Sequence, residues 1–181
     1  MKTTLCALLT LCVLLFGLSL PLAAQTASTP AADPWKTLAF LEGTWEGNTQ
    51  GKEGVSVSGT YTFRRELRSH ILARHSTNAA GCKGPATFDC EHGDLLYVYE
   101  DAPGQALKAI YFDNEGHVIH YDVSAPDAAT AVFLSEASKP GPRYRLTYQL
   151  RGTEMSGKFQ MQMPGQTDWK TYLEWSGSKQ R

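Results

Sequence analysis

Among side chains able to ligate a metal, move a proton or exchange electrons, this chain carries five histidines and four cysteines. Imidazole titrates near neutral pH and coordinates iron or zinc through either ring nitrogen, so histidines that share a surface deserve the first look. Strand alternation groups His75 with Ile71 and Ala73, and His117 with Ile119 and Tyr121. Both stand near the ends of their segments, where they could converge as haem or metal ligands or as a proton-transfer pair. Two separate, solvated imidazoles are the plainer alternative. No other cofactor is suggested, and His70, His92 and His120 fall on outer faces or in loops. Cys82 and Cys90 are separated by seven residues in a loop-like stretch. In an oxidising compartment they should form a disulfide. A zinc site would need Cys82, Cys90, His92 and a fourth ligand, at a spacing unlike the usual paired-cysteine knuckles.

The motifs of common catalysis are missing. There is no Gly-x-Ser-x-Gly, no His-Glu-x-x-His, no phosphate-cradling glycine loop and no His-x-His pair, so no enzyme is indicated. Arg64, Arg65, Arg68 and Arg74 form a basic cluster that reads as charged outer surface. Arg65, sharing the parity of Phe63, is the one candidate for an inward anion contact.

The amino terminus reads as an export signal. Lys2 precedes an apolar run from Leu5 to Leu20, and Pro21-Leu22-Ala23-Ala24-Gln25 offers small residues before a cut after Ala24. Residues 1–24 are therefore expected to be removed, and Cys6 and Cys12 with them. The product would be a periplasmic or secreted protein with no membrane span. Losing Lys2 leaves 16 basic residues against 18 acidic ones, a net charge of −2 that gives no electrostatic case for nucleic acid. Residues 25–33 are rich in Ala, Thr, Ser and Pro and read as a flexible leader. Order should begin in residues 34–181, one domain long enough to bury a real core.

Asp33 and Pro34 suit an N-cap and first helical position, and Trp35, Leu38 and Leu41 make one apolar stripe, so a short amphipathic helix is expected. From Gly43 the apolar period becomes two. Ten strands are read: Thr44–Thr49, Val55–Leu67, His70–Ser76, Leu95–Glu100, Ala106–Phe112, His117–Val123, Thr130–Ser135, Arg143–Leu150, Met155–Gln162 and Trp169–Ser176. Hairpin-length links such as Asp113-Asn114-Glu115-Gly116 exclude parallel crossovers. Sequential hairpins leave two open edges unless the sheet closes, so the fold expected is all-β: an up-and-down antiparallel barrel of about ten strands with the helix plugging one end. The opposite end, with the long Thr77–Asp94 loop, becomes the mouth.

One apolar face is assigned inward: Val55, Val57, Tyr61 and Phe63; Tyr97 and Tyr99; Ile119 and Tyr121; Tyr144, Leu146, Tyr148 and Leu150; Phe159, Met161 and Met163; Leu173 and Trp175. A barrel of ten strands is wider than side chains just fill. These residues therefore either make a solid core or line a pocket for a small hydrophobic or amphipathic molecule. In the pocket reading the ligand contacts are Tyr61, Phe63, Tyr97, Tyr121, Tyr144, Tyr148, Phe159 and Met161, with His75 and His117 at the mouth.

The stretch Phe40-Leu41-Glu42-Gly43-Thr44-Trp45-Glu46-Gly47 resembles the Gly-x-Trp opening of the lipocalin, fatty-acid-binding protein and nitrobindin superfamily. With the preceding helix and the run Tyr111–Tyr121, the chain looks similar to a secreted bacterial lipocalin-like family of unknown function. The resemblance implies that Gly43 gives the backbone room as the helix turns into the first strand, and that Trp45 closes the barrel floor. Two departures stand out. No histidine follows His120, where nitrobindin-like barrels supply a haem ligand, and the last strand lacks the Arg of the fatty-acid-binding Arg-x-Tyr pair.

Overall fold

A computed structural model describes residues 33–49, 58–78, 91–136 and 141–181. The expected signal segment, nearly all of the leader, Val55, Val57 and the Cys82–Cys90 pairing lie outside the described residues. The unit spanning Ala31–Arg181 is an all-β barrel. Asp33 accepts a hydrogen bond from the Trp35 amide at 3.0 Å and starts helix α1, Pro34–Thr37, which runs on into a 3-10 turn at Ala39–Leu41.

Ten strands follow: β1 Gly43–Thr49, β2 Ser58–Glu66, β3 Ile71–Asn78, β4 Gly93–Glu100, β5 Leu107–Asp113, β6 Val118–Asp127, β7 Thr130–Ser135, β8 Arg143–Arg151, β9 Glu154–Gln162 and β10 Lys170–Lys179. Every neighbouring pair is antiparallel, and β1 pairs with β10 from Trp45↔Lys179 to Thr49↔Trp175, which closes the barrel. Closure removes both free edges, so every strand finds backbone partners on two sides. Among the described residues no helix is long and apolar enough to cross a membrane.

The helical segment sits at the floor, the end where β1 begins. Leu38 and Leu41 are buried, and the Trp45 indole donates to the Leu41 carbonyl at 2.8 Å. Arg65, on the same face of β2 as Phe63, holds the plug: it donates to Glu42 at 3.0 Å and to the Trp35 carbonyl at 3.2 Å, with its guanidinium 4.4 Å from the Trp35 ring centre. Arg65 thus clasps the floor, and the anion it meets is the Glu42 carboxylate of the chain itself. Gly43 has φ +123°, a conformation open to glycine, and the Lys179 stem occupies the space a Cβ would need.

The lower half of the barrel is filled by Trp45, Phe63, Leu72, Val98, Ala109 and Met155, all nearly inaccessible to solvent. Above them lies an aromatic layer centred on Tyr148, whose ring lies 5.3 Å from Phe63, 5.8 Å from Trp175, 5.9 Å from Tyr61 and 6.1 Å from Phe133. Offset and edge-on contacts of this kind add stabilisation beyond the buried area.

The β2–β3 turn is unusual. Leu67, Arg68 and Ser69 all have left-handed backbone, with φ of 48°, 56° and 67°. Each such residue costs about 1–2 kcal/mol relative to glycine-compatible geometry. Arg68 is exposed, so Arg68→Gly is expected to raise stability by about 1 kcal/mol, after the greater chain entropy of glycine is set against the relieved strain. A higher urea midpoint at unchanged slope would show it. A lower midpoint would mean that the turn is not strained.

Candidate ligand-binding cavity

Above the aromatic layer the described residues enclose a cavity of about 370 Å³ that reaches the mouth end, with His117 and Tyr172 exposed on its rim. Its two sides differ in chemistry. Strands β8, β9 and β10 contribute Tyr144, Leu146, Phe159, Met161, Leu173 and Trp175. Tyr144 and Phe159 stack at 5.6 Å with planes 7° apart, and Tyr172 meets Phe159 edge-on at 6.1 Å. Tyr172 sits where the β9–β10 register shifts between Thr171 and Leu173. That bulge turns its ring to the cavity.

The opposite side, from β3, β4, β5 and the turn after β5, is polar. Arg74 is 4% exposed. It donates to the Tyr148 hydroxyl and to the Asp94 carboxylate. Ser76 donates to the same Asp94 oxygen at 2.5 Å, and His92 lies 3.5 Å from the other. Burial works against both charges, but each sustains the other: the Asp94 carboxylate and Tyr148 hold the Arg74 guanidinium above its ordinary value, and Arg74, His92 and Ser76 hold Asp94 below its own. Burial pushes the hydroxyls of Tyr61, Tyr111, Tyr121 and Tyr148 upward, so they serve as neutral hydrogen-bonding groups.

Nearer the mouth, Asp113 accepts from the backbone N–H of Glu115 at 3.1 Å and of His117 at 2.8 Å, from the Tyr111 hydroxyl at 3.1 Å, and lies 2.8 Å from His117 Nδ1. Burial would push the Asp113 carboxyl up, but these hydrogen bonds hold it below the usual carboxylate range. His92 bridges the two levels, with Nδ1 3.3 Å from Glu115 and Nε2 3.3 Å from the Tyr111 hydroxyl. Its hydrogen bond to Asp94 raises it above the ordinary imidazole value despite partial burial.

These shifts fix a pH dependence. Asp94 and Asp113 titrate below 3.8, so their contribution is present above that value and is lost as pH falls through the lower folded values. His92 titrates above 6.5, so its contribution is complete below 6.5 and is lost as pH rises through its folded value. Stability measured by urea unfolding should therefore peak between 3.8 and 6.5. The acid limb should flatten in Asp94→Asn. A wild-type profile with no acid limb would contradict the ion pair.

Of the expected contacts, Tyr61, Tyr121, Tyr144, Tyr148, Phe159, Met161 and His117 line the cavity, and Phe63 packs beneath it. Two expectations are corrected. His75 and Tyr97 lie on the outer face, His75 with Nε2 3.4 Å from Glu66 and its ring edge-on to Tyr97 at 6.3 Å. On β3 the inward residues are Leu72, Arg74 and Ser76, and on β4 they are Asp94, Leu96 and Val98. Tyr99 shares Tyr97's outer parity, and Met163 is exposed in the β9–β10 turn. His75 and His117 therefore do not converge, and among the described residues no group of histidine, cysteine and acidic side chains is arranged to hold a metal. His92, expected in a loop, is part of the site.

Arg74, Asp94, Tyr111 and Asp113 were not expected there. For Arg74 a signal existed. Direct partners across an antiparallel hairpin share a face, and Tyr61↔Ser76 and Phe63↔Arg74 follow by counting outward from the Arg68-Ser69 turn.

The closed ten-strand antiparallel barrel is compatible with a calycin-like architecture. The chain matches no protein-family model and no curated protein.

Proposed function

We propose that this protein is an exported binding protein for one small amphipathic molecule. The ligand lies with its apolar body against Tyr144, Phe159, Met161 and Trp175 and its polar end towards Arg74, Asp94 and Asp113. One observation carries the reading: a closed barrel with a hollow of about 370 Å³, aromatic on one side and holding a buried ion pair on the other. Ligand pockets typically combine a predominantly apolar lining with a few fixed polar groups that set orientation. A solid structural barrel has no need of Arg74, because a buried ion pair adds little net stability compared with apolar packing of the same volume. The signal-like segment at residues 1–24 supports export, and the resemblance to a secreted bacterial lipocalin-like family agrees with both parts.

Haem ligation through His75 and His117 has no comparable support, since the two stand on opposite faces of the sheet. Titration of the purified protein with a panel of environment-sensitive fluorescent lipids tests the proposal. Saturable binding to a single site, displaced by unlabelled amphiphiles, is expected. Absence of saturable binding across the panel would overturn it.

A further inference from the structure

Resting on that reading, we infer that the cavity selects amphiphiles with a cationic head group, such as an alkylamine or quaternary ammonium, over fatty carboxylates. The charges lining it set the preference. One guanidinium, Arg74, faces three carboxylates, Asp94, Asp113 and Glu115, so that even with His92 carrying a proton between Asp94 and Glu115 the acidic groups outnumber these cations by one.

Arg74 would be the natural partner for a carboxylate ligand, but its charge is committed. One terminal nitrogen donates to Tyr148 and the other to Asp94, which is itself held by Ser76 and His92. An incoming carboxylate would come to lie beside Asp94, which is 12% exposed and already paired with Arg74. Like charges brought together in a poorly solvated site repel strongly. An ammonium group meets no such conflict. It is attracted to Asp113 and Glu115 at the mouth, and the aromatic rings of Tyr144, Phe159 and Tyr172 that line the other side offer cation–π contacts that an anion cannot obtain.

A second observation is an unused donor on a side chain that lines the cavity. Arg74 Nε is buried and has no hydrogen-bond partner among the described residues. Buried polar atoms are ordinarily satisfied, and one left over beside a hollow calls for a ligand or water acceptor. A hydroxyl or carbonyl oxygen near the ligand's head group would satisfy it without contributing charge.

The experiment is a displacement series on the full-length mature protein at neutral pH, with decylamine, decyl alcohol and decanoate competing against one neutral fluorescent probe. Decylamine is expected to bind at least ~10-fold more tightly than decanoate, equivalent to about 1.4 kcal/mol, with the alcohol between them. In Asp113→Asn with Glu115→Gln, the amine affinity divided by the alcohol affinity of the same variant should fall by about 5-fold. Normalising to the alcohol cancels any general loosening of the cavity. Equal affinities, a preference for decanoate, or a ratio that does not change in the variant would overturn the inference while leaving amphiphile binding intact. If none of the three displaces the probe and the probe itself fails to bind, the binding reading falls as well. Should the double variant not fold, the wild-type ranking alone decides.

Discussion

Asp94→Asn should destabilise the barrel by about 3–5 kcal/mol, because it leaves the Arg74 guanidinium buried without a counter-charge. Arg74 is 4% exposed and its pairing with Asp94 is the one full charge pair in the interior among the described residues. Solvent cannot take over the role of the lost carboxylate, and the Tyr148 hydroxyl supplies a dipole only. Arg74→Met should be damaging for the mirror-image reason, leaving Asp94 to Ser76 and His92. The double variant removes both charges and should recover much of the loss. A coupling energy of about 2 kcal/mol or more is expected in the double-mutant cycle, measured by urea unfolding. Strictly additive single effects would show that the two groups do not act as a pair.

Gly157→Val is the second large effect. Gly157 pairs with Tyr148 on β8 and with Trp175 on β10, and the Trp175 indole lies directly over it. A Cβ at this position would collide with the six-membered part of that ring. An indole packed against Tyr61 and Tyr148 has no flexible end that could swing aside. It must therefore tilt into the cavity or the strand must shift. Overpacking of this kind costs about 1–3 kcal/mol. Here it should also reduce probe affinity by more than ~10-fold, because the displaced ring takes up ligand volume. Unaltered affinity and an unaltered tryptophan emission spectrum would place the ligand elsewhere.

The architecture could be read from period-two alternation and short links because every hairpin announces itself locally. Thr130–Ser135 was bounded from the sequence as it stands in the structure, and the other described strands differ by a few residues at their ends. The apolar wall was equally legible on β8, β9 and β10, where Tyr144, Leu146, Tyr148 and Leu150 alternate against Arg143, Arg145, Thr147 and Gln149. The polar wall was not, for a definite reason. In Ile71-Leu72-Ala73-Arg74-His75 both faces contain apolar residues and a basic one, and in Leu95-Leu96-Tyr97-Val98-Tyr99 both faces are apolar throughout. Alternation alone then gives no sign of which face is inside. Pairing decides it: Ala109↔Tyr121 places Ala109 inside, Val98↔Ala109 places Val98 inside, and Tyr97 is left outside. That chain of inference needs the β5–β6 register, and starting β6 one residue early at His117 inverts every side chain upstream.

The seam between β1 and β10 joins residues from opposite ends of the domain, Trp45 with Lys179 and Thr49 with Trp175. Contacts so distant along the chain carry a large loop-closure entropy and belong to the last stage of folding. During vectorial synthesis the C-terminal strand is also the last of the ten to emerge. Until it does, the chain is an unzipped meander with two sticky borders open to neighbouring chains. Trp175, which walls the hollow, arrives on that same strand. Completion of the hollow's wall and protection from aggregation are therefore tied to one event, the docking of the final hairpin.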